Sequence, residues 1–207
     1  MLQYVYTYYP VGAPNHNESY PGYVSMQKMV ADKVNGTLDS SLTESWRSLI
    51  KVFKELDIED VHNFYGRPFP STLASINLKT VGYKQFDIQT SINVVLSLLT
   101  NYYTIFFELH MTKKPNSYVG TLTIYGNENS NAEETQLFDR VQQIVEKYFP
   151  TFSFLNHHFL MTNKVESVRP YGLTYEEYLS DKKPCSFYEL LFDGRFPDMK
   201  HTERILL

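Results

Sequence analysis

Two residues near the middle of the chain have the types and spacing of an acid–base pair. Glu108 and His110 are two positions apart in the run Tyr102–Met111, which is rich in aromatic and β-branched residues. Because alternate side chains of a strand point to the same face, the two would share a face if this run is a strand. Such a pair suits general acid–base catalysis. The alternative is that both belong to the solvent face of a half-buried sheet, where alternating polar residues are common.

Two other features are weaker candidates for chemistry. His157 and His158 are adjacent in residues 152–161, which we predict to be a strand, so their side chains would point to opposite faces. They would not share a metal, and only one, such as His158, would face a catalytic site.

Cys185 follows two lysines closely, and neighbouring cations lower a thiol pKa. No particular histidine is tied to it, and the alternative is a small, partly buried thiol.

The common signatures of enzyme and metal sites are absent from the sequence. It contains no GxxxxGK[ST], GxGxxG, HExxH, GxSxG or paired CxxC motif. We therefore predict no metal site and no cofactor, which argues modestly against the common enzyme classes.

An antiparallel sheet is predicted to position Glu108 and His110. From Phe86 to Leu98 apolar and polar residues alternate, and this run, Tyr102–Met111 and Tyr118–Tyr125 read as three strands. Leu73–Val81 adds a fourth, so the predicted meander covers residues 73–125. Residues 88–106 also fit a helical spacing, but their β-branched and aromatic content and the turn residues between them favour strands.

Helices are predicted near residues 23–34, 41–56 and 132–148, each with an apolar stripe, and we expect all three to pack mostly on one face of the sheet. Leu2–Tyr9 is predicted to be an edge strand, and 152–161 a final core strand. The fold class is therefore α+β, an antiparallel sheet of about five or six strands with three main helices in a single domain over residues 1–207.

Composition and charge indicate the compartment and the kind of partner. The net charge is −4, which argues against nonspecific nucleic-acid binding, and an acidic surface suits a basic partner. The single cysteine indicates a reducing compartment. The first residues lack the features of a signal peptide, and no apolar run is long enough for a membrane helix. We predict a cytoplasmic location without membrane contact.

The sequence predicts a protein-binding module, in the manner of an immunity or inhibitor protein that neutralises a toxin. Tyrosine, of which there are 17, serves interfaces well, although it also suits the edge of a core. The predicted binding residues are Tyr4, Tyr6, Tyr8, Arg169 and Tyr171. Tyr4, Tyr6 and Tyr8 would share one face of the N-terminal strand. The alternatives are an enzyme with a polar site near Glu108 and His110, or a small-ligand-binding protein. No structure is predicted for residues 182–207.

Overall fold

The computed structural model describes residues 1–11, 20–37, 40–65, 70–113, 122–126, 132–168 and 184–192. It is a mixed α/β fold with a mostly antiparallel sheet and several helices. The helices are α1 (Leu2–Tyr8), α2 (Pro21–Asn35), α3 (Ser40–Phe53), α4 (Ala132–Tyr148), α5 (His157–Thr162) and α6 (Phe187–Leu191). The strands are β1 (Asp60–Asn63), β2 (Ser71–Asn77), β3 (Val81–Gly82), β4 (Phe86–Ser97), β5 (Tyr102–Lys113), β6 (Leu122–Gly126), β7 (Ser153–Phe154), β8 (Lys164–Val165) and β9 (Cys185–Ser186).

The predicted meander is the centre of the molecule. Strands β1, β2, β4, β5 and β6 are neighbours in that order and antiparallel, β3 also pairs with β4, and the short β7 lies parallel to β5. The long pair β4–β5 runs in continuous register from Phe86 opposite Lys113 to Leu96 opposite Tyr103. The strand interpretation of residues 88–106 is therefore confirmed, and the helical alternative is wrong. β8 and β9 form a separate small sheet.

One face of the sheet is covered by α3 and α4. Their buried residues form a single hydrophobic cluster with alternate residues of β2, β4 and β5, among them Ile92 and Val94. Trp46 anchors α3 in this cluster, and its indole Nε1 donates to Asn63 Oδ1 at 2.9 Å. Burying the indole therefore leaves no unpaired donor.

The helix near residues 23–34 packs elsewhere. The buried residues of α2 join those of α1, α5 and α6 in a second cluster that includes Val95 and Phe106. Val95 and Phe106 alternate along their strands with Val94 and Phe107 of the first cluster, so they point to the opposite face. The expectation that all three main helices share one face holds for α3 and α4 only.

The predicted N-terminal strand is wrong, because Leu2–Tyr8 is helix α1. Alternating tyrosines suggested a period of two, but the residues that the core buries are Val5 and Tyr8. That spacing of three is the helical one. The tertiary contact with α2 therefore decides the structure of a segment whose local pattern was ambiguous.

The predicted strand over residues 152–161 is also wrong in most of its length. Only Ser153–Phe154 is a strand, and α5 begins at His157. Asn156 caps α5, since its side-chain oxygen accepts from the backbone N–H of Phe159 at 3.1 Å. Asparagine is among the preferred residues at this position, so the cap was visible in the sequence.

Among the described residues, no helix has the length and apolar character needed to cross a membrane.

Candidate functional site

Glu108 and His110 lie side by side on β5, as their spacing predicted. Glu108 Oε1 and His110 Nε2 are 3.3 Å apart. The shared face is therefore confirmed, whereas a catalytic role for the pair remains a prediction.

The neighbouring strand holds the other oxygen of the carboxylate. Asn93 on β4 donates from Nδ2 to Glu108 Oε2 at 2.7 Å. The Glu108 side chain is 13% exposed and that of His110 is 34% exposed. A largely buried carboxylate needs such partners, because removing its charge from water without them is costly. Glu108 is consequently held between an amide and an imidazole, and the imidazole is partly exposed.

A second hydrogen-bonded group lies on the same face of the sheet, between β4 and β2. Ser91 Oγ donates to Asn77 Oδ1 at 2.8 Å, and Ser75 Oγ lies 3.5 Å from the same oxygen. In the sheet register Asn77, Ser91 and Glu108 are directly opposite one another. We call the residues of these two groups together the polar face: Ser75, Asn77, Ser91, Asn93, Glu108 and His110.

The polar face is more buried than the sequence predicts. Alternating polar residues of β4 indicated a wetter face, yet Asn93 is 1% exposed and Ser91 is 2% exposed. Hydrogen bonds within the sheet, rather than bulk water, satisfy much of their polarity. The expected simple solvent face is therefore wrong for this end of β4.

The hydrogen bond to Glu108 raises the pKa of His110 above its ordinary value, and the charge of Glu108 adds to this while burial opposes it. Because Nε2 faces the carboxylate, it donates its proton there in both charge states of the ring. The other nitrogen, Nδ1, is then the atom that takes up or releases the titrating proton. This arrangement gives a base whose tautomer and orientation are fixed by a carboxylate.

His157 and His158 are not brought into the polar face. His157 is buried on α5, stacked on Phe106 at 3.9 Å between ring centroids and edge-on to Tyr188 at 4.7 Å. Burial, with the nearby His158, lowers the pKa of His157 to about 3, so its ring is neutral in the core. His158 is exposed, and none of the described contacts joins it to Glu108 or His110.

Cys185 is a free, buried thiol. Its Sγ lies 3.3 Å from the carbonyl oxygen of Val168. Burial raises the pKa of the thiol to about 12, and the charge of Glu189 acts in the same direction, whereas Lys164 opposes both. The thiolate needed for nucleophilic attack is therefore disfavoured.

The three tyrosines that were predicted to form one surface lie on different sides of helix α1. Tyr8 is buried and its hydroxyl lies 3.5 Å from Met29 Sδ, so the predicted single face of Tyr4, Tyr6 and Tyr8 is wrong. Tyr6 is 50% exposed, and Leu2, one helical turn earlier, is 48% exposed. We call Leu2 and Tyr6 the α1 ridge. Tyr4 is also exposed, on the other side of the buried residues of α1.

Two predicted binding residues, Arg169 and Tyr171, lie outside the described residues.

Asn77 and Asn93 are members of the polar face that the sequence did not identify as site residues. Their signal was present, since each is an amide within an apolar strand, but only the strand register shows that both lie on the same face of the sheet as Glu108. In the described part of the chain, no group of three or more His, Cys, Asp or Glu side chains is placed to hold a metal ion.

Comparison of the chain with models of known protein families, with curated proteins and with solved structures finds no match. Its function is therefore argued from the geometry of the polar face and the α1 ridge.

Proposed function

We propose that this chain is a protein-binding module, an inhibitor or immunity protein, that contacts its partner through the α1 ridge. The observation that supports the proposal is the concentration of exposed apolar side chains on one short helix. Of the eight large hydrophobic side chains that are exposed in the described part of the chain, three lie on the seven residues of α1, and two of these, Leu2 and Tyr6, form the ridge.

The ridge is presented by a helix that is fixed to the core. Leu2 and Tyr6 are four residues apart and so lie next to each other on the helix surface. On the buried side, Val5 and Tyr8 join the core cluster. A tyrosine on a fixed helix loses little conformational freedom on binding, which is why such residues frequently dominate interface energies.

Charge and compartment complete the proposal. The net charge of −4 favours a partner with a basic surface, since opposite charge accelerates association, and it gives no support for nucleic-acid binding. We place the protein in the cytoplasm, because its single cysteine cannot form an intrachain disulfide and a reducing compartment accepts that composition.

Affinity capture from a lysate of the source cells tests this function. The wild-type protein is compared with the double variant Leu2→Ser/Tyr6→Ser and with the control Tyr83→Ser. Tyr83 is 48% exposed and lies at β3–β4, far along the chain from α1. We expect one host protein to be retained by the wild type and by the control and to be lost from the double variant. Equal retention by all three proteins would reject the ridge as the contact.

A second candidate function is an enzyme that uses Glu108 and His110 as an acid–base pair. The specific observation in its favour is the 3.3 Å contact that leaves His110 Nδ1 to exchange protons. Wild type, Glu108→Gln and His110→Gln would be screened against hydrolase and transferase substrates. Glu146→Gln is the control, because Glu146 accepts from Tyr103, whose ring lies in the α3–α4 cluster. Activity that survives both site variants, or activity in none of the proteins, would remove this candidate.

A further inference from the structure

We propose that the hydroxyl group of Tyr9 is a clasp that couples helix α1 to helix α6, so that the two helices open and close together. Tyr9 directly follows α1, and its partner in α6, Leu190, is 181 residues further along the chain. Because α1 carries the ridge, the clasp makes the position of the ridge depend on α6. The coupling is a property of the protein alone and goes beyond the proposed binding of a partner.

The clasp is a buried hydrogen bond. The Tyr9 hydroxyl donates to the backbone carbonyl oxygen of Leu190. Tyr9 is 1% exposed and Leu190 is 0% exposed, so water does not reach this carbonyl oxygen to replace a lost donor. Burial raises the pKa of Tyr9, which keeps the hydroxyl in its protonated, donating form. Removing this hydroxyl should therefore cost more stability than removing an exposed one.

The C-terminal end of α6 is held by side chains from other elements. The last carbonyl groups of a helix have no partner within it. In α6, the carbonyl oxygen of Leu190 accepts from Tyr9, and that of Leu191 accepts from Ser97 Oγ on β4 at 2.7 Å. Because α6 has only five residues, it is not stable without such contacts. The bond from Tyr9 is consequently a substantial part of what holds this end of α6.

The C-terminal end of α1 depends on the same residue. The backbone N–H of Tyr9 donates to the carbonyl oxygen of Val5 at 2.9 Å and closes the last turn of α1. A shift of α1 therefore moves the Tyr9 hydroxyl relative to Leu190. With seven residues, α1 is also too short to be stable by itself. When one helix opens, the other loses the shared bond as well, so we expect the two to form one cooperative unit.

Hydrogen exchange of the backbone amides, measured by nuclear magnetic resonance on the whole protein without a partner, tests the clasp. The amides of residues 9 and 192 close the last turns of α1 and α6, and that of Phe149 donates to Val145 in the α3–α4 cluster. We expect Tyr9→Phe to speed exchange at residues 9 and 192 by about tenfold relative to Phe149.

Tyr8→Phe is the matched control, because it makes the same change one residue earlier. The Tyr8 hydroxyl lies beside Met29 on α2, so this variant should exchange at residue 192 as wild type does. Equal exchange at residue 192 in Tyr9→Phe and Tyr8→Phe would overturn the proposal.

A second substitution tests the coupling itself. Gly22→Ala displaces α1 from the side of α2, and the three atoms nearest to its methyl group belong to Tyr20, Tyr8 and Thr7, none of them in α6. We expect it to speed exchange at residue 192, relative to Phe149, by about fivefold or more when Tyr9 is present and by about twofold or less in Tyr9→Phe. A role of Tyr9 in packing alone would leave the two effects equal.

Equal effects of Gly22→Ala in the two backgrounds, or no effect at residue 192, would also overturn the clasp. If Gly22→Ala does not fold, the comparison of Tyr9→Phe with Tyr8→Phe decides alone. Because exchange is measured without a partner, failure of the clasp is distinguishable from failure of the proposed function.

Discussion

Two histidines show how the side chains around an imidazole decide its charge. His110 lies against Glu108, whose hydrogen bond favours the protonated ring, whereas His157 lies between Phe106 and Tyr188, which offer it no charge. The pKa of His110 is raised and that of His157 is lowered to about 3. The two residues therefore change the stability of the protein with pH in opposite directions.

His110 is predicted to titrate above 6.5, the ordinary pKa of histidine, and Glu108→Gln is predicted to lower that pKa. Among the described residues, Glu108 is the charged group in contact with His110. Gln89, which lies directly opposite His110 on β4, is uncharged. Because the folded-state pKa is raised, the stabilisation is fully present below pH 6.5 and is lost as the pH rises through the folded-state pKa. A nuclear magnetic resonance titration of the ring in both proteins measures this, and an unchanged pKa in the variant would contradict it.

His157 is predicted to make the protein acid-sensitive. The unfolded chain takes up a proton on this residue below pH 6.5, whereas the folded chain does not until about pH 3, so stability is lost as the pH falls. Between pH 7 and pH 5, the free energy of unfolding should fall by about 2 kcal/mol more for the wild type than for His157→Phe. Urea unfolding of both proteins at the two pH values gives the comparison. An equal fall in the two would show that His157 is protonated in the folded state.

Cys185 is predicted to react slowly with a thiol reagent in the folded protein. Burial raises its pKa to about 12, and its sulfur is enclosed beside Val168. Labelling at pH 8 followed by absorbance should be slow in buffer and fast in denaturant. A fast reaction in buffer would mean that the β8–β9 sheet opens readily.

At the residue scale, sequence reasoning succeeded where the spacing alone decides the outcome. Residues two apart on a strand share a face whatever packs on them, so the contact of Glu108 with His110 followed from their positions. The hydrogen bond between Asn93 and Glu108 could not be predicted in this way, because it depends on which residues of β4 and β5 are opposite one another.

At the scale of elements, the contact between α1 and α2 fixes the ridge. The backbone at Gly22, in the first turn of α2, lies so close to the end of α1 that a Cβ atom would be 2.6 Å from the carbonyl oxygen of Tyr8 and 2.8 Å from that of Thr7. These two obstacles are backbone atoms, which cannot rotate away, whereas a third close atom, Tyr20 Cε1 at 2.5 Å, belongs to a side chain. Glycine is therefore required there for close approach.

Gly22→Ala is predicted to destabilise the protein by about 1–3 kcal/mol, because α1 must shift to admit the methyl group. Gly36→Ala is the matched comparison. Gly36 ends α2 with a φ of +67°, and an added Cβ there would lie at ordinary contact distances from its neighbours. The free energy of unfolding of Gly36→Ala should therefore fall by only about 1 kcal/mol, because of backbone strain. Chemical denaturation of the two variants measures the difference. A larger loss at Gly36 than at Gly22 would contradict the close contact of α1 with α2.

Long elements were predictable and short ones were not. The helices α2, α3 and α4 and the strands β4 and β5 are 12 to 17 residues long. Their length made the helical pattern clear, and in β4 and β5 the β-branched and aromatic residues and the turn residues between them decided against the helical alternative. Helix α1 has seven residues and α5 has six, too few to be stable without tertiary contacts. Their structure is set by the core that they cover.

At the scale of the molecule, the meander could be predicted because consecutive antiparallel strands joined by short turns become neighbours. The distribution of the helices over the two faces of the sheet could not be predicted, because the sheet has apolar residues on both faces at one end. Val94 and Val95 are adjacent in β4 and contact different clusters. The expectation of a single covered face overlooked Val95 and Phe106, which provide the surface on which α2 and its neighbours pack.

Retention of a protein partner by the immobilised protein shows whether the α1 ridge is the contact for that partner. We expect wild type and Tyr83→Ser to retain the same host protein and Leu2→Ser/Tyr6→Ser, folded to the same stability, not to retain it. A double variant that retains the partner as well as the wild type does, or a wild type that retains no protein above background, would contradict it.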